Sequence, residues 1–284
     1  MKTSSIIAQW LEYRDRLAAL QVVQPSTVTN QAAIAMRLID GLPGDIAALR
    51  KSSVEIYIGE RRKTCAPVTI RGEINVLRQI LNWAVDEGHL LVKPRLPSVQ
   101  VPNVEVALPA DADFTAMLVL LPQNHRLACE FMMLTGLSPH ELERLHAGDV
   151  GGRTLKIGYR DDFKVKTPSR RRGIPLNARA LEIWNRCERE CLDVAFLLPV
   201  FPNVGAIQKA MSRARAGTDL PAITPKSMRK WFASHVSGDN PEHVLQRLMG
   251  HSPGSKVTRK HYVRSTDEET RSAVDGLAVV VGGK

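Results

Sequence analysis

The sequence holds no run approaching the roughly twenty apolar residues that a bilayer-spanning helix requires. Its opening stretch, MKTSSIIAQWLEYRDR, sets charges where a secretory signal carries an unbroken apolar core. A cytoplasmic protein with no membrane partner is the expectation. Cysteine is scarce, with only Cys65, Cys129, Cys187 and Cys191. Cys187 and Cys191 stand four apart in a helical pattern, but no second pair or neighbouring histidine completes a zinc set, so no metal is expected. Internal repeats and low-complexity segments are also absent from the sequence.

What is present is ordinary globular composition, 44% hydrophobic and 24% charged over 284 residues, which is enough chain for two domains with their own cores. The net charge is +10. Residues 1–103 carry 13 Lys and Arg against 9 Asp and Glu, a net +4, and the remainder carries +6. Both parts are basic, so a single basic tail does not account for the excess. A polyanionic partner fits this balance.

Residues 4–90 read as helices throughout. Ile6, Ile7, Trp10, Leu11 and Leu17 make one apolar stripe, and Val68, Ile70, Ile74, Leu77, Ile80, Leu81 and Ala84 make a longer one at helical spacing. Breaks at Gly41–Gly44 and Lys63–Pro67 give about four short helices. Residues 91–109, LVKPRLPSVQVPNVEVALP, hold four prolines and no helical period, and are expected to be an extended linker. From 110 to 284 the pattern is mixed. Helices are expected near 111–121, 125–134, 177–192, 204–215, 225–236, 241–249 and 267–280. The alternating, β-branched segment RTLKIGYRDDFKVKTPSRRRGIPL, with turns at Asp161–Asp162 and Thr167–Ser169, predicts a small antiparallel sheet. The fold class is therefore mainly α with a small antiparallel β-sheet.

The last quarter carries the chemistry. In ITPKSMRKWFASH, Lys226 lies one helical turn before Arg229 and shares its face, with Lys230 beside it. In LMGHSPGSKVTRKHYVR, His251 follows Gly250 and Tyr262 comes eleven residues after the histidine. Upstream, Lys166 stands at the edge of the expected hairpin, with Lys164 as a rival two residues away on the same strand face, and Arg170, Arg171 and Arg172 follow as expected contacts to DNA backbone phosphates. Within TGLSPHELERL, Ser138, Pro139 and Glu141 form a helix-start signal, with serine at the N-cap, proline at the first position and glutamate at the third. Breaking and rejoining a phosphodiester without metal needs a nucleophile, cations around the non-bridging oxygens and a proton donor for the leaving oxygen.

The order and spacing of these segments resemble the tyrosine recombinases, the family of phage integrases and Xer-type recombinases. The resemblance spans nearly the whole chain and implies a helical core-binding domain that clamps DNA (1–90), a linker (91–109) and a catalytic domain (110–284). It implies Tyr262 as the nucleophile that stores the bond as a 3′-phosphotyrosine, Arg229 and His251 on the phosphate, Lys226 in proton handling and Lys166 protonating the departing 5′ oxygen. No cofactor is needed. Double-stranded DNA is the implied partner, with self-assembly on it through the carboxy-terminal segment, and a bacterial, phage or mobile-element origin is implied. Ser138 stands where the family places its first arginine. Arg144 and Arg126 are candidates to replace it. A recombinase and a recombinase-fold DNA-binding protein that has lost strand exchange both remain open.

Overall fold

Proline opens helix after helix in this chain. Pro25, Pro67, Pro139 and Pro225 each sit at the start of one. There the missing N–H has no intrahelical acceptor to lose and the fixed φ is already helical. The computed structural model describes residues 2–102, 108–163, 165, 167–192, 199–251 and 267–275. The chain divides into two compact units, Met1–Glu105 and Val106–Lys284.

The first unit is built of α1 (Thr3–Ala19), α2 (Pro25–Gly41), α3 (Lys51–Arg62) and α4 (Pro67–Asp86), with a 3₁₀ turn at Ile46–Ala48. On α4 the expected stripe Ile70, Ile74, Leu77, Ile80, Leu81 and Ala84 is buried against Ile6, Ile7, Trp10 and Leu38, whereas Val68 in the first turn is exposed. Each such Ile or Leu contributes about 1.5–3 kcal/mol on burial, which outweighs the few tenths that β-branched residues cost a helix. Glu73 lies on the same stripe and is fully buried. Its carboxylate accepts from Tyr57 Oη at 2.8 Å, from Arg61 Nη2 at 2.7 Å and from Arg37 Nε at 3.2 Å, tying α2, α3 and α4 together. Burial pushes the Glu73 carboxyl up, but these donors hold it below its ordinary range. Residues 91–102 form neither helix nor strand, and Val99 packs into this unit's core.

The second unit comprises α5 (Asp111–Leu120), α6 (Gln123–Thr135), α7 (Pro139–Leu142), β1 (Val150–Gly151), β2 (Thr154–Ile157), β3 (Arg172–Pro175), α8 (Ala178–Leu192), α9 (Val204–Arg215), α10 (Pro225–Asp239), α11 (Glu242–Met249) and α12 (Asp267–Asp275). Helix α6 runs through the middle. Every residue from Leu127 to Thr135 is buried, and α10, α8, α9 and α5 pack around it. Its one buried carboxylate, Glu130, is held by Arg179 at 2.6 and 2.9 Å.

The sheet is antiparallel in the order β1-β2-β3, with Leu155 opposite Ile174 and Ile157 opposite Arg172. Among the described residues the expected turn at Asp161–Asp162 does not return a strand. Strand β2 pairs directly with β3, which a 3₁₀ turn at Pro168–Arg170 precedes. The cause is a charged network. Arg160 bonds Asp149 at 2.8 Å, Asp162 at 2.9 Å and the Arg144 carbonyl at 3.0 Å, while Phe163 is buried beneath the guanidinium groups of Arg144 and Arg160. Helix α12 packs on its own unit, where Ala273 and Val274 are buried, Asn177 Nδ2 donates to the Val274 carbonyl and Arg153 pairs with Asp275. Residues 276–280, the apolar end of the expected final helix, lie outside the described residues. Among the described residues no helix is long and apolar enough to cross a membrane.

Candidate active site

Three chain reversals meet at one place. Helix α6 ends at Gly136, which takes a left-handed conformation (φ 65°), and a Cβ there would fall into the Phe232 ring. Helix α11 ends at Gly250 (φ 64°), and the His251 N–H reaches back to the Gln246 carbonyl at 3.0 Å, closing the α11 C-terminus. The 3₁₀ turn at Pro168–Arg170 then brings β3 alongside, so that a Cβ on Gly250 would lie 2.8 Å from Arg172 Nη1 and 3.1 Å from Arg170 Cα.

Arg229 projects from α10 into this junction. Its guanidinium, 11% exposed, donates to the Gly136 carbonyl at 2.5 Å and the Met249 carbonyl at 2.7 Å, and lies 3.5 Å from Glu141 Oε2. Two carbonyls therefore fix the orientation of the fork while leaving it partly open. Burial, followed by the charges of Arg172 and Arg170, pulls its pKa down to about 10 against the opposing pull of Glu141, so it remains charged at neutral pH. His251 is half-buried next to Gly250. Burial and then Arg229, Arg170 and Arg172 lower its pKa, which favours the neutral imidazole.

Glu141 anchors the cluster. Its Oε1 is 2.8 Å from Arg172 Nη1, and its Oε2 is 3.2 Å from Arg172 Nη2 and accepts the Ser138 N–H at 2.8 Å. Burial raises this carboxyl, but Arg172, the Ser138 N–H and Arg229 overcome it and hold the pKa at about 2. Its place in the sequence marks Glu141 as a capping residue, and in the fold it is also the counter-ion of Arg172 and Arg229.

Arg172 is a correction. Expected as a surface contact to phosphate, it is 5% exposed and also donates to the Leu248 carbonyl at 2.7 Å and the Arg170 carbonyl at 3.0 Å. With its donors spent inside the protein it is a strut between β3, α7 and α11. One signal pointed there: Arg172, Ile174 and Leu176 alternate as a buried strand face does.

Ser138 begins α7 as expected, but only half of the capping arrangement forms. The Glu141 carboxylate takes the serine N–H, while Ser138 Oγ is buried with no hydrogen-bond partner. Neither expected substitute for the missing arginine reaches it. Arg144 Nη2 donates to the Asp162 carbonyl at 2.8 Å, and its guanidinium lies on the Phe163 ring. Arg126 sits in the first turn of α6, about 14 Å along the axis from the end of the helix at Thr135.

The other expected residues fall as follows. Lys226 is exposed in the first turn of α10, one turn before Arg229, and Lys230 is exposed on the same helix. Arg171 is exposed, with its guanidinium 4.7 Å from the Tyr159 ring centroid. Arg170 is half-buried beside Gly250. Tyr262, Lys166 and its rival Lys164 lie outside the described residues. No group of His, Cys, Asp or Glu among the described residues is arranged to hold a metal ion.

The sequence pattern of the Phage integrase family matches residues 115–269, more than half of the chain. No curated protein matches it by sequence. Solved structures of similar fold include a lambda integrase dimer bound to a COC′ core site (TM-score 0.69, 16% identity, 90% of this chain and 99% of that one). A Tn1549 transposon integrase in complex with a circular intermediate DNA matches at TM-score 0.70 and 19% identity, over 98% of this chain and 100% of that one. A lambda integrase tetramer bound to a Holliday junction matches at TM-score 0.69 and 16% identity, over 89% and 80% of the two chains.

Proposed function

Because the chain belongs to the phage integrase family, we propose that it is a site-specific DNA recombinase that cleaves and rejoins strands through a 3′-phosphotyrosine. The observation that carries this reading is the oriented, partly open Arg229 fork, with His251 on the adjoining turn. A planar, permanently charged fork suits two phosphate oxygens, and a neutral imidazole can donate a further hydrogen bond without adding charge. In the reaction, the Tyr262 oxygen bonds to phosphorus as the bond to the 5′ oxygen breaks. The phenolic proton passes to water beside Lys226, and Lys166 protonates the departing 5′ oxygen. The reverse sequence rejoins strands with no external energy source, because the phosphotyrosine conserves the bond.

In this reading residues 1–90 form the helical DNA-binding domain, 91–109 the linker and 110–284 the catalytic domain. Duplex DNA is the partner, and Arg170, Arg171 and Lys230 face its phosphates. Self-assembly on DNA runs through the carboxy-terminal segment, specifically its apolar residues after α12, since α12 itself is spent on its own unit. The protein acts in the cytoplasm.

One observation favours a second reading. Ser138 offers a neutral hydroxyl with no partner where a charged donor is wanted, and loss of one such donor costs on the order of 10²- to 10³-fold. A recombinase-fold DNA-binding protein without strand exchange would result. A nicked suicide substrate of the cognate site separates the two. The recombinase reading expects a covalent protein–DNA adduct that vanishes in Tyr262→Phe while DNA binding survives. DNA binding without any adduct in the parent protein would establish the second.

A further inference from the structure

The geometry points to Arg170 as the second phosphate-binding arginine of this site, a catalytic residue supplied by the turn before β3 in place of one at position 138. This inference rests on the strand-transfer reading for its consequence, but it stands on three structural observations of its own.

The first concerns supply and demand of cations. Two guanidinium groups, from Arg172 and Arg229, face the buried carboxylate of Glu141, and Arg170 is carried on the adjoining turn beside Gly250. Arg172 commits its donors to Glu141, the Leu248 carbonyl and the Arg170 carbonyl. Arg229 commits two donors to carbonyls and faces Glu141. Among the described residues the Arg170 guanidinium has no hydrogen-bonding or ionic partner. It is a half-buried cation with its donors uncommitted, and such a cation is suited to an anion arriving from outside.

The second is placement. The Arg170 backbone is held on two sides, by the buried Arg172 and by Gly250. Its carbonyl accepts from Arg172 Nη1 at 3.0 Å, and its Cα lies 3.1 Å from where a Cβ on Gly250 would be. Gly250 in turn is flanked by His251 and by Met249, whose carbonyl holds Arg229. Arg170, His251 and Arg229 are thus carried by three segments that meet around one glycine. The lowered pKa values of both His251 and Arg229 include the charge of Arg170 among their causes, as this proximity requires.

The third is the Ser138 hydroxyl, which is buried and unpartnered at the same junction. A buried polar atom left unsatisfied costs about 1–3 kcal/mol. Position 138 therefore brings no charge to the junction, and Arg170 provides it.

Two measurements on the full chain test this. Inorganic phosphate is titrated into the protein and followed by the ring signals of His251 in NMR, assigned with His251→Asn. The parent should show a saturable shift, and Arg170→Ala should weaken phosphate binding about tenfold or more, the loss expected for one hydrogen bond to a charged group. Arg186→Ala, which removes the same charge from an exposed pair on α8, should leave it unchanged. On a nicked suicide substrate, Arg170→Ala should lower adduct formation on the order of 10²-fold or more while DNA binding is retained, and Arg170→Lys should recover part of the loss. No saturable shift in the parent, or Arg170→Ala binding phosphate as the parent does, overturns the assignment. Undiminished adduct formation in Arg170→Ala overturns it too. A parent that binds phosphate through Arg170 but forms no adduct keeps the phosphate seat and removes the recombinase reading instead.

Discussion

Glu141 illustrates how one residue decides the chemistry of its neighbours. Without it, Arg172 would be a buried, uncompensated cation beside Arg229. Breaking such a pair from one side costs about 3–5 kcal/mol, so Glu141→Gln should lower the stability of the second unit by an amount of that order, measured by denaturant titration. The pH dependence has a definite sign. The folded pKa of about 2 is below the ordinary 4.5, so the stabilisation is complete above about pH 4.5 and is lost as pH falls towards 2. Glu141→Gln should flatten that acid limb. Ser138 makes the contrasting case, because its hydroxyl bonds to nothing. Ser138→Ala should therefore not lower stability and, by removing an unsatisfied buried polar atom, should raise it by about 1–3 kcal/mol, against a loss of roughly 0.5–2 kcal/mol for a working N-cap. A loss of that size would show that the hydroxyl caps α7 in solution. The sequence made Arg229, His251 and the start of α7 legible because each rests on local spacing. It hid the commitment of Arg172, because SRRRGIPL reads as a run of surface cations until the strand register places alternate residues inside. Glu73 was hidden likewise, although its spacing from Ile70 and Leu77 put it on the apolar face of α4.

At the scale of elements, the helices were readable since their apolar periods are long and their starts are marked by proline. The small antiparallel sheet was readable too, but not which strands pair in it, because alternation in a short segment does not say which strand returns. The Arg160–Asp149–Asp162 network and the buried Phe163 are tertiary facts, and they turn a would-be hairpin into the loop that delivers Arg170. The joint between α11 and that loop is tightly constrained. Gly250→Ala would combine a left-handed residue, costing about 1–2 kcal/mol, with a Cβ driven against Arg172 Nη1 and the Arg170 backbone. The second of those contacts is with main chain and cannot swing aside. The expected outcome is a drop in thermal stability together with a loss of adduct formation larger than the stability change explains, since His251, Arg170 and Arg229 would all be displaced. Normal cleavage by folded Gly250→Ala would show that the joint does not set the geometry of the site.

For the whole molecule, the distribution of charge makes the sharpest claim. Each unit has its own hydrophobic core, and residues 91–102 between the last helix of the first and the start of the second have neither helix nor strand to resist a protease. Limited digestion should cut near Pro94–Pro102 and leave a stable carboxy-terminal fragment beginning near residue 100. Both parts are basic, at net +4 up to residue 103 and +6 beyond it. If both grip the same duplex, each releases its own counterions, and log K falls with log[salt] at a slope set by the total number of phosphates neutralised. The full chain should therefore show a steeper salt slope than the carboxy-terminal fragment. If it makes six to ten phosphate contacts, its affinity should fall on the order of 10³- to 10⁵-fold between 50 and 200 mM salt. Arg170→Ala should reduce the slope by about one contact, while Arg172→Met, at a residue whose charge is spent on Glu141 inside the protein, should leave the slope of the folded fraction intact. Equal slopes for the fragment and the full chain would mean that the first unit does not touch the DNA backbone, and the proposed clamp would reduce to the second unit.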